Sequence, residues 1–252
     1  MQKNKYFVIS LITAGIASAV SAYMMIAKPI RLELALNWIQ LGCLFPALYC
    51  TIDCAGKDKT NLFCQFQVGA VSCFALGQIY WVLHLLIIGY DERTFSISDL
   101  SWIGFYLFLF SAVFGFINPI IKDKKKELRK YRAAALLAPA AFIAAGTVQL
   151  LEVIQNGFGD IFYVAVYTAV MAPLSYYTFK LSILPAKIDL RLKAMRPYNI
   201  LILAIMTVDT AWTFSDLANH GSLFCLCEFL LCILLLSIAP TAYGGIRKWT
   251  TC

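Results

Sequence analysis

The sequence predicts an all-α, polytopic membrane protein, a single integral membrane domain over 1–252 built as a bundle of eight transmembrane helices. Three observations carry this prediction. Hydrophobic residues make up 61% of the chain and charged ones 14%, whereas soluble domains carry about a quarter charged residues. Eight apolar stretches each approach or exceed the ~20 residues that a hydrocarbon core demands of a helix. Finally, 18 of the 21 Lys and Arg residues fall in alternate gaps between those stretches, and this is the bias that keeps basic loops cytoplasmic.

Taken in order, stretch 6–26 follows Lys3 and Lys5, and 35–52 follows Lys28 and Arg31 and leads to Lys57 and Lys59. Stretches 62–88 and 99–121 come next and end at the seven basic residues of 122–132. Stretches 132–155 and 160–180 lead to five more basic residues in 180–196. The last two, 198–218 and 221–243, precede Arg247 and Lys248. The expectation is four hairpins (about 6–52, 62–121, 132–180 and 198–243) in a plasma (inner) membrane of bacterial type, with both termini cytoplasmic. The first stretch has a second reading. Lys3, Lys5, the apolar run from Tyr6 and the small residues Val20-Ser21-Ala22 imitate a secretory signal. Cleavage there would leave seven spans and an outer N-terminus. Pro46, Pro139, Pro173 and Pro240 lie within or at the ends of helices and are expected to kink them.

So much of the chain lies in spans that a soluble catalytic or nucleic-acid-binding domain is not expected. The net charge of +7 reads as a cytoplasmic rim facing anionic headgroups, with the bilayer itself as first partner and no nucleic acid. The nine cysteines lie mostly inside spans and form neither a disulfide framework nor a C-x-x-C pair. Cys225 and Cys227 project about 200° apart on a helix and do not share a ligand. No cofactor is expected, and no metal: the two histidines lack H-x-x-x-H, H-E-x-x-H or E-x-x-H spacing. His220 sits in the tight Ala218–Gly221 turn. Nucleophile-elbow, Walker and dinucleotide motifs are missing.

A repeat organises the even-numbered stretches. From the first residue of each, steps of three and seven give Asp99, Trp102, Tyr106; Asp160, Tyr163, Tyr167; Gly221, Phe224, Glu228; and, more faintly, Ala35, Trp38, Gly42. These steps return to one side of a helix, so each stripe faces one neighbour. A weaker echo on odd-numbered stretches compares Gly77-Gln78-Ile79-Tyr80 with Gly146-Thr147-Val148-Gln149 and Met206-Thr207-Val208-Asp209.

Acids are polarised across the membrane. Nine of the fourteen lie on the outer side: Glu33, Asp91, Glu92, Asp99, Glu152, Asp160, Asp209, Asp216 and Glu228. Ionisable groups at membrane depth are costly and mark functional sites. Asp99 and Asp160 also suit N-caps. Glu152, Asp209 and Glu228 are expected well inside their helices, where a functional cavity and plain interhelical hydrogen bonding remain alternatives. The candidate ligand-binding set is Gln78, Trp81, His84, Asp99, Trp102, Tyr106, Gln149, Glu152, Asp160, Tyr163, Asp209, Trp212 and Glu228. Aromatic walls with carboxylates suit a small polar or cationic ligand, or a lipid. A ligand-binding or sensory module, a membrane lipid hydrolase and a structural partner of another membrane protein all remain open, with binding favoured over catalysis.

The run Ala75-Leu76-Gly77-Gln78-Ile79-Tyr80-Trp81, followed after a loop by Phe95-Ser96-Ile97-Ser98-Asp99-Leu100-Ser101-Trp102-Ile103-Gly104-Phe105-Tyr106, resembles the multi-helix membrane sensor region in front of bacterial diguanylate cyclase (GGDEF) domains. Gly159-Asp160-Ile161-Phe162-Tyr163 with Tyr167 is similar to a second copy of that pattern. Phe95 stands where the family has proline. The resemblance implies a stand-alone sensor-like module whose output lies in a membrane or cytoplasmic signalling partner. A fainter likeness, through Lys28-Pro29 and Ser215-Asp216, is to the YhhN-type lysoplasmalogenases. It implies hydrolysis of a lipid by Glu152, Asp209 and Asp216, although Gly77-Gln78 replaces that family's Gly-Asp.

Overall fold

In the computed structural model, residues 3–27, 31–57, 61–89, 96–123, 125–155, 157–185, 190–217 and 221–249 are described. All the regular structure among them is α-helix: α1 (Lys3–Ala27), α2 (Leu32–Lys57), α3 (Leu62–Ile87), α4 (Ile97–Asp123), α5 (Lys125–Arg129), α6 (Arg132–Ala135), α7 (Leu137–Val153), α8 (Phe158–Ile183), α9 (Leu190–Leu217), α10 (Gly221–Leu236) and α11 (Ile238–Trp249). Seven helical stretches among the described residues are long and apolar enough to cross a membrane, two of them running through α6–α7 and α10–α11. The 28-residue α9 is equally long but falls outside that set, because Arg191, Lys193, Arg196, Asp209 and Asp216 dilute its apolar run.

Proline chemistry accounts for the breaks and for one helix contact. Leu136, ahead of Pro139, separates α6 from α7, and Ser237, ahead of Pro240, separates α10 from α11. Pro240 has no N–H to offer the carbonyl four residues back, which belongs to Leu236. That carbonyl instead accepts the Ser10 hydroxyl of α1 at 2.7 Å. At the same end of α1, the Tyr6 hydroxyl donates to Asp53 Oδ2 at 2.5 Å, and Lys57 bridges Asp53 and the Tyr6 oxygen. Asn61 caps α3 by accepting from the Phe63 N–H at 3.1 Å. Gly157, at φ +125°, supplies the turn into α8 that a residue with a Cβ rarely adopts.

Six helices close a ring, in the order α2, α3, α4, α8, α9 and α10 with its continuation α11, each packed on the next. Two long helices lie outside it: α1 rests on α2 and α10, and α7, with the short α6 before it, rests on α8. Burial follows this placement. Half of the apolar window is buried in α2 and in α10–α11, against 17% in α1 and 22% in α6–α7. The ring interior holds Phe74, Phe105, Tyr106, Leu109, Met171, Leu174, Ile202, Met206 and Leu235. In lipid such a core is held by close packing rather than by escape from water.

Small residues permit that closeness. The spacing Gly69-x-x-x-Cys73-x-x-x-Gly77 on α3 faces α4 as an antiparallel ladder. A Cβ added at Gly69 would meet the Phe108 ring at 2.8 Å, and one at Gly77 would meet Trp102 Nε1 at 2.8 Å. Between these rungs, a Cβ at Gly104 would lie 3.2 Å from Cys73 Sγ. Gly146 on α7 lies under Thr168 of α8 in the same way.

Gly77→Ala is therefore expected to force Trp102 aside and to cost about 1–3 kcal/mol, as overpacked positions do. Gly42→Ala, where the added Cβ meets nothing within 4 Å, is expected to be neutral. Thermal unfolding of both variants in detergent checks the contrast.

Candidate functional site

Asp209 lies on α9 about two turns from its last described residue, where α4 and α8 cross it. Its Oδ2 accepts the Tyr106 hydroxyl at 2.7 Å and also the Tyr167 hydroxyl. Both tyrosines are nearly fully buried, and their rings meet edge to face at 5.5 Å. Each occupies the seventh position beyond the first residue of its stripe, so two stripes converge on one carboxylate.

One turn further along α9, Trp212 Nε1 donates to Glu228 Oε1 of α10 at 2.8 Å, and its ring packs on Phe224 at 5.4 Å. Phe224 and Glu228 are the third and seventh positions of the α10 stripe. Glu228 is only 3% exposed, and its Oε2 has no hydrogen-bond partner. On the other side of the ring, Gln78 Nε2 donates to Asn37 Oδ1 at 2.6 Å, joining α3 to α2.

These groups border a narrow cavity of about 30 Å³, open on one side. Asn37 and Gln40 of α2 line it, with Phe74, Gln78 and Trp81 of α3 and Trp102 of α4. Tyr163 of α8, Asp209 and Trp212 of α9, and Glu228 and Leu231 of α10 complete the wall. Trp81, Trp102 and Trp212 form an edge-to-face chain with centroids 6.4 and 6.5 Å apart. The Trp102 Nε1–H, pressed against Gly77, has no acceptor. Among the described residues, the cavity wall carries two carboxylates and no lysine or arginine. By contrast Asp53, at the far end of α2, is paired with Lys57 at 2.7 Å.

Seven of the residues expected from sequence line this cavity: Gln78, Trp81, Trp102, Tyr163, Asp209, Trp212 and Glu228. Tyr106 stands directly behind Asp209. The other five are elsewhere. His84 stacks on Trp81 at 5.4 Å and is not part of the wall. Asp99 accepts from the N–H and hydroxyl of Ser96 at 2.7 and 2.8 Å, so it holds the start of α4. Asp160 lies in the first turn of α8, partly exposed. Gln149 is buried on α7 but does not reach the cavity. Glu152, expected at depth, is exposed in the last turn of α7, because α7 lies outside the ring and that face of it looks outward. Glu152 is not among the described residues that line the cavity with Asp209. The Asp216 side chain, His220, Asp91 and Glu92 lie outside the described residues.

Asn37, Gln40 and Tyr167 are the additions to the expected set. Asn37 and Gln40 are polar residues three apart inside an apolar stretch, and Tyr167 belongs to a stripe already recognised. Among the described residues, no group of three or more His, Cys, Asp and Glu is placed to hold a metal ion. Comparison with family models, curated proteins and solved structures finds no match for the chain.

Asp209→Ala would leave two buried phenols without an acceptor, at a cost of about 1–3 kcal/mol each. Asp209→Asn keeps an acceptor oxygen and is expected to lose less than half as much. Chemical unfolding in detergent, followed by circular dichroism, ranks the two variants.

Proposed function

We propose that this chain is a ligand-binding, sensory membrane module whose cavity takes a small cation and whose output passes through a separate partner. In this reading α9 is an eighth span beside the seven apolar stretches. The spans pair as four hairpins, both termini are cytoplasmic, and the cavity opens toward the outer face. The charge distribution supports this orientation: the basic residues rim one side and the cavity carboxylates lie toward the other. The resemblance to the sensor regions of diguanylate cyclases is part of the same proposal. Trp102, from the stripe of Asp99, Trp102 and Tyr106, would be the part of the wall that turns toward a ligand.

One observation carries the reading: an orphaned, buried carboxylate oxygen of Glu228 shares a tryptophan-lined cavity with Asp209, and among the described residues no basic one lines the wall. Buried charge in a medium of low dielectric needs a partner. Indole faces attract cations at separations of up to ~6 Å from the ring centroid. A ligand that brings positive charge meets both needs at once, and its arrival would draw α3, α4, α9 and α10 together around it. That movement of helices is the signal the partner would read.

Native mass spectrometry of the detergent-released protein beside its Asp209→Asn/Glu228→Gln double variant tests the reading. A small cation should leave with the wild-type protein and be lost from the variant. Each charge-assisted hydrogen bond is worth about 2 kcal/mol, so affinity should fall on the order of 30-fold for a single substitution. Identical bound species in both proteins would contradict it.

A further inference from the structure

We propose that the cavity selects protonated amines that carry N–H hydrogens and an oxygen acceptor close by, and discriminates against fully alkylated cations. The inference rests on the cation-binding reading above and goes further, to the chemical class of the ligand. Two buried atoms on residues of the cavity wall decide it: Glu228 Oε2 has no donor, and Trp102 Nε1–H has no acceptor.

A quaternary ammonium would satisfy the charge and the indole faces, but its methyl groups approach an oxygen no closer than about 3.3 Å and only through weak C–H contacts. The Glu228 oxygen would stay without a true hydrogen bond in a buried site, which weakens binding about tenfold or more. An ammonium reaches that oxygen through an N–H at about 2.8 Å. The trimethyl head is also the bulkier one, and the cavity is narrow, about 30 Å³.

The second atom points to the rest of the ligand. An indole N–H buried without an acceptor is best served by a neutral oxygen, such as an ether, hydroxyl or carbonyl. A carboxylate at this point would face Asp209 and Glu228 across the same cavity. A protonated amine with an oxygen two carbons away fits the set. That chemistry occurs both in free small amines and in the headgroups of amine-bearing phospholipids.

The experiment uses intrinsic tryptophan fluorescence of the full chain, in which three of the five tryptophans line the cavity. The probes are 2-methoxyethylamine, its N-trimethyl counterpart, and n-butylamine, which lacks the oxygen. The proposal expects 2-methoxyethylamine to bind at least tenfold more tightly than its trimethyl form and several-fold more tightly than butylamine. Trp102→Phe should erase the advantage over butylamine alone. Glu228→Gln should bring the amine and the trimethyl probe to within about twofold of each other. Equal or tighter binding of the trimethyl probe by the wild-type protein would overturn the selectivity and leave a cation cavity standing. Failure of every probe to shift the fluorescence would overturn both. The first comparison needs no variant, so misfolding of a variant cannot decide the matter. Repeating it in nanodiscs of amine-headgroup and of choline-headgroup lipid separates the sources. A response lost only in the former assigns the headgroup as occupant, and a response kept in both assigns a soluble amine.

Discussion

The carboxylate of Asp209, gripped by the hydroxyls of Tyr106 and Tyr167, is the interaction on which the rest of the arrangement depends. An acid inside an apolar helix bundle cannot rely on water, so it must be supplied with donors by neighbouring helices. Here α4 and α8 each send one phenol to the same oxygen, and the three helices are thereby fixed in rotation as well as in position. That fixing turns Trp102 and Tyr163, one turn away on the same two stripes, toward a common space. The cavity is therefore a by-product of satisfying a buried acid from one side only.

The other two polar ties complete the frame. Trp212 with Glu228 joins α9 to α10, and Gln78 with Asn37 joins α3 to α2. Around them the α3–α4 face closes through small residues, and Gly77 lets the Trp102 indole lie flush against the backbone. Outside the ring, α1 is tied by its Ser10 and Tyr6 hydroxyls, and α7 by the close approach of Gly146 to Thr168. The opposite end of the ring has a smaller cavity lined by Cys54, Cys64 and Gln67, the last bonded to Tyr198 at 2.6 Å. Polar groups thus gather toward the two ends, with Phe105, Leu109, Met171 and Leu235 packed between them.

Much of this was legible in the order of residues. Length and apolarity marked the helices, and steps of three and seven marked the stripes that meet at α9, because α-helical periodicity puts such residues on one side whatever the tertiary fold. What periodicity does not reveal is which side faces the interior. Glu152 and Gln149 share α7, yet Gln149 is buried and Glu152 exposed, since only the packing of α7 on α8 decides their fates. Trp38 likewise follows the stripe pattern of α2 but is 49% exposed, while Asn37 beside it enters the cavity. Prolines alone did not mark the helix breaks: Pro139 and Pro240 follow the breaks at Leu136 and Ser237, whereas Pro46 and Pro173 lie inside unbroken helices. The use of the freed Leu236 carbonyl by Ser10, 226 positions away, depends on a long-range contact that no local pattern encodes.

The most direct test of the central claim is a double-mutant cycle pairing Asp209→Ala with Tyr106→Phe, and then with Tyr167→Phe, in the purified protein. The two hydroxyls and the carboxylate act as one unit in this structure, so each pair should show a coupling free energy of about 1–3 kcal/mol. Additive effects, with coupling below about 0.5 kcal/mol for both pairs, would mean that the phenols do not hold the acid. They would contradict the account of how the cavity is built.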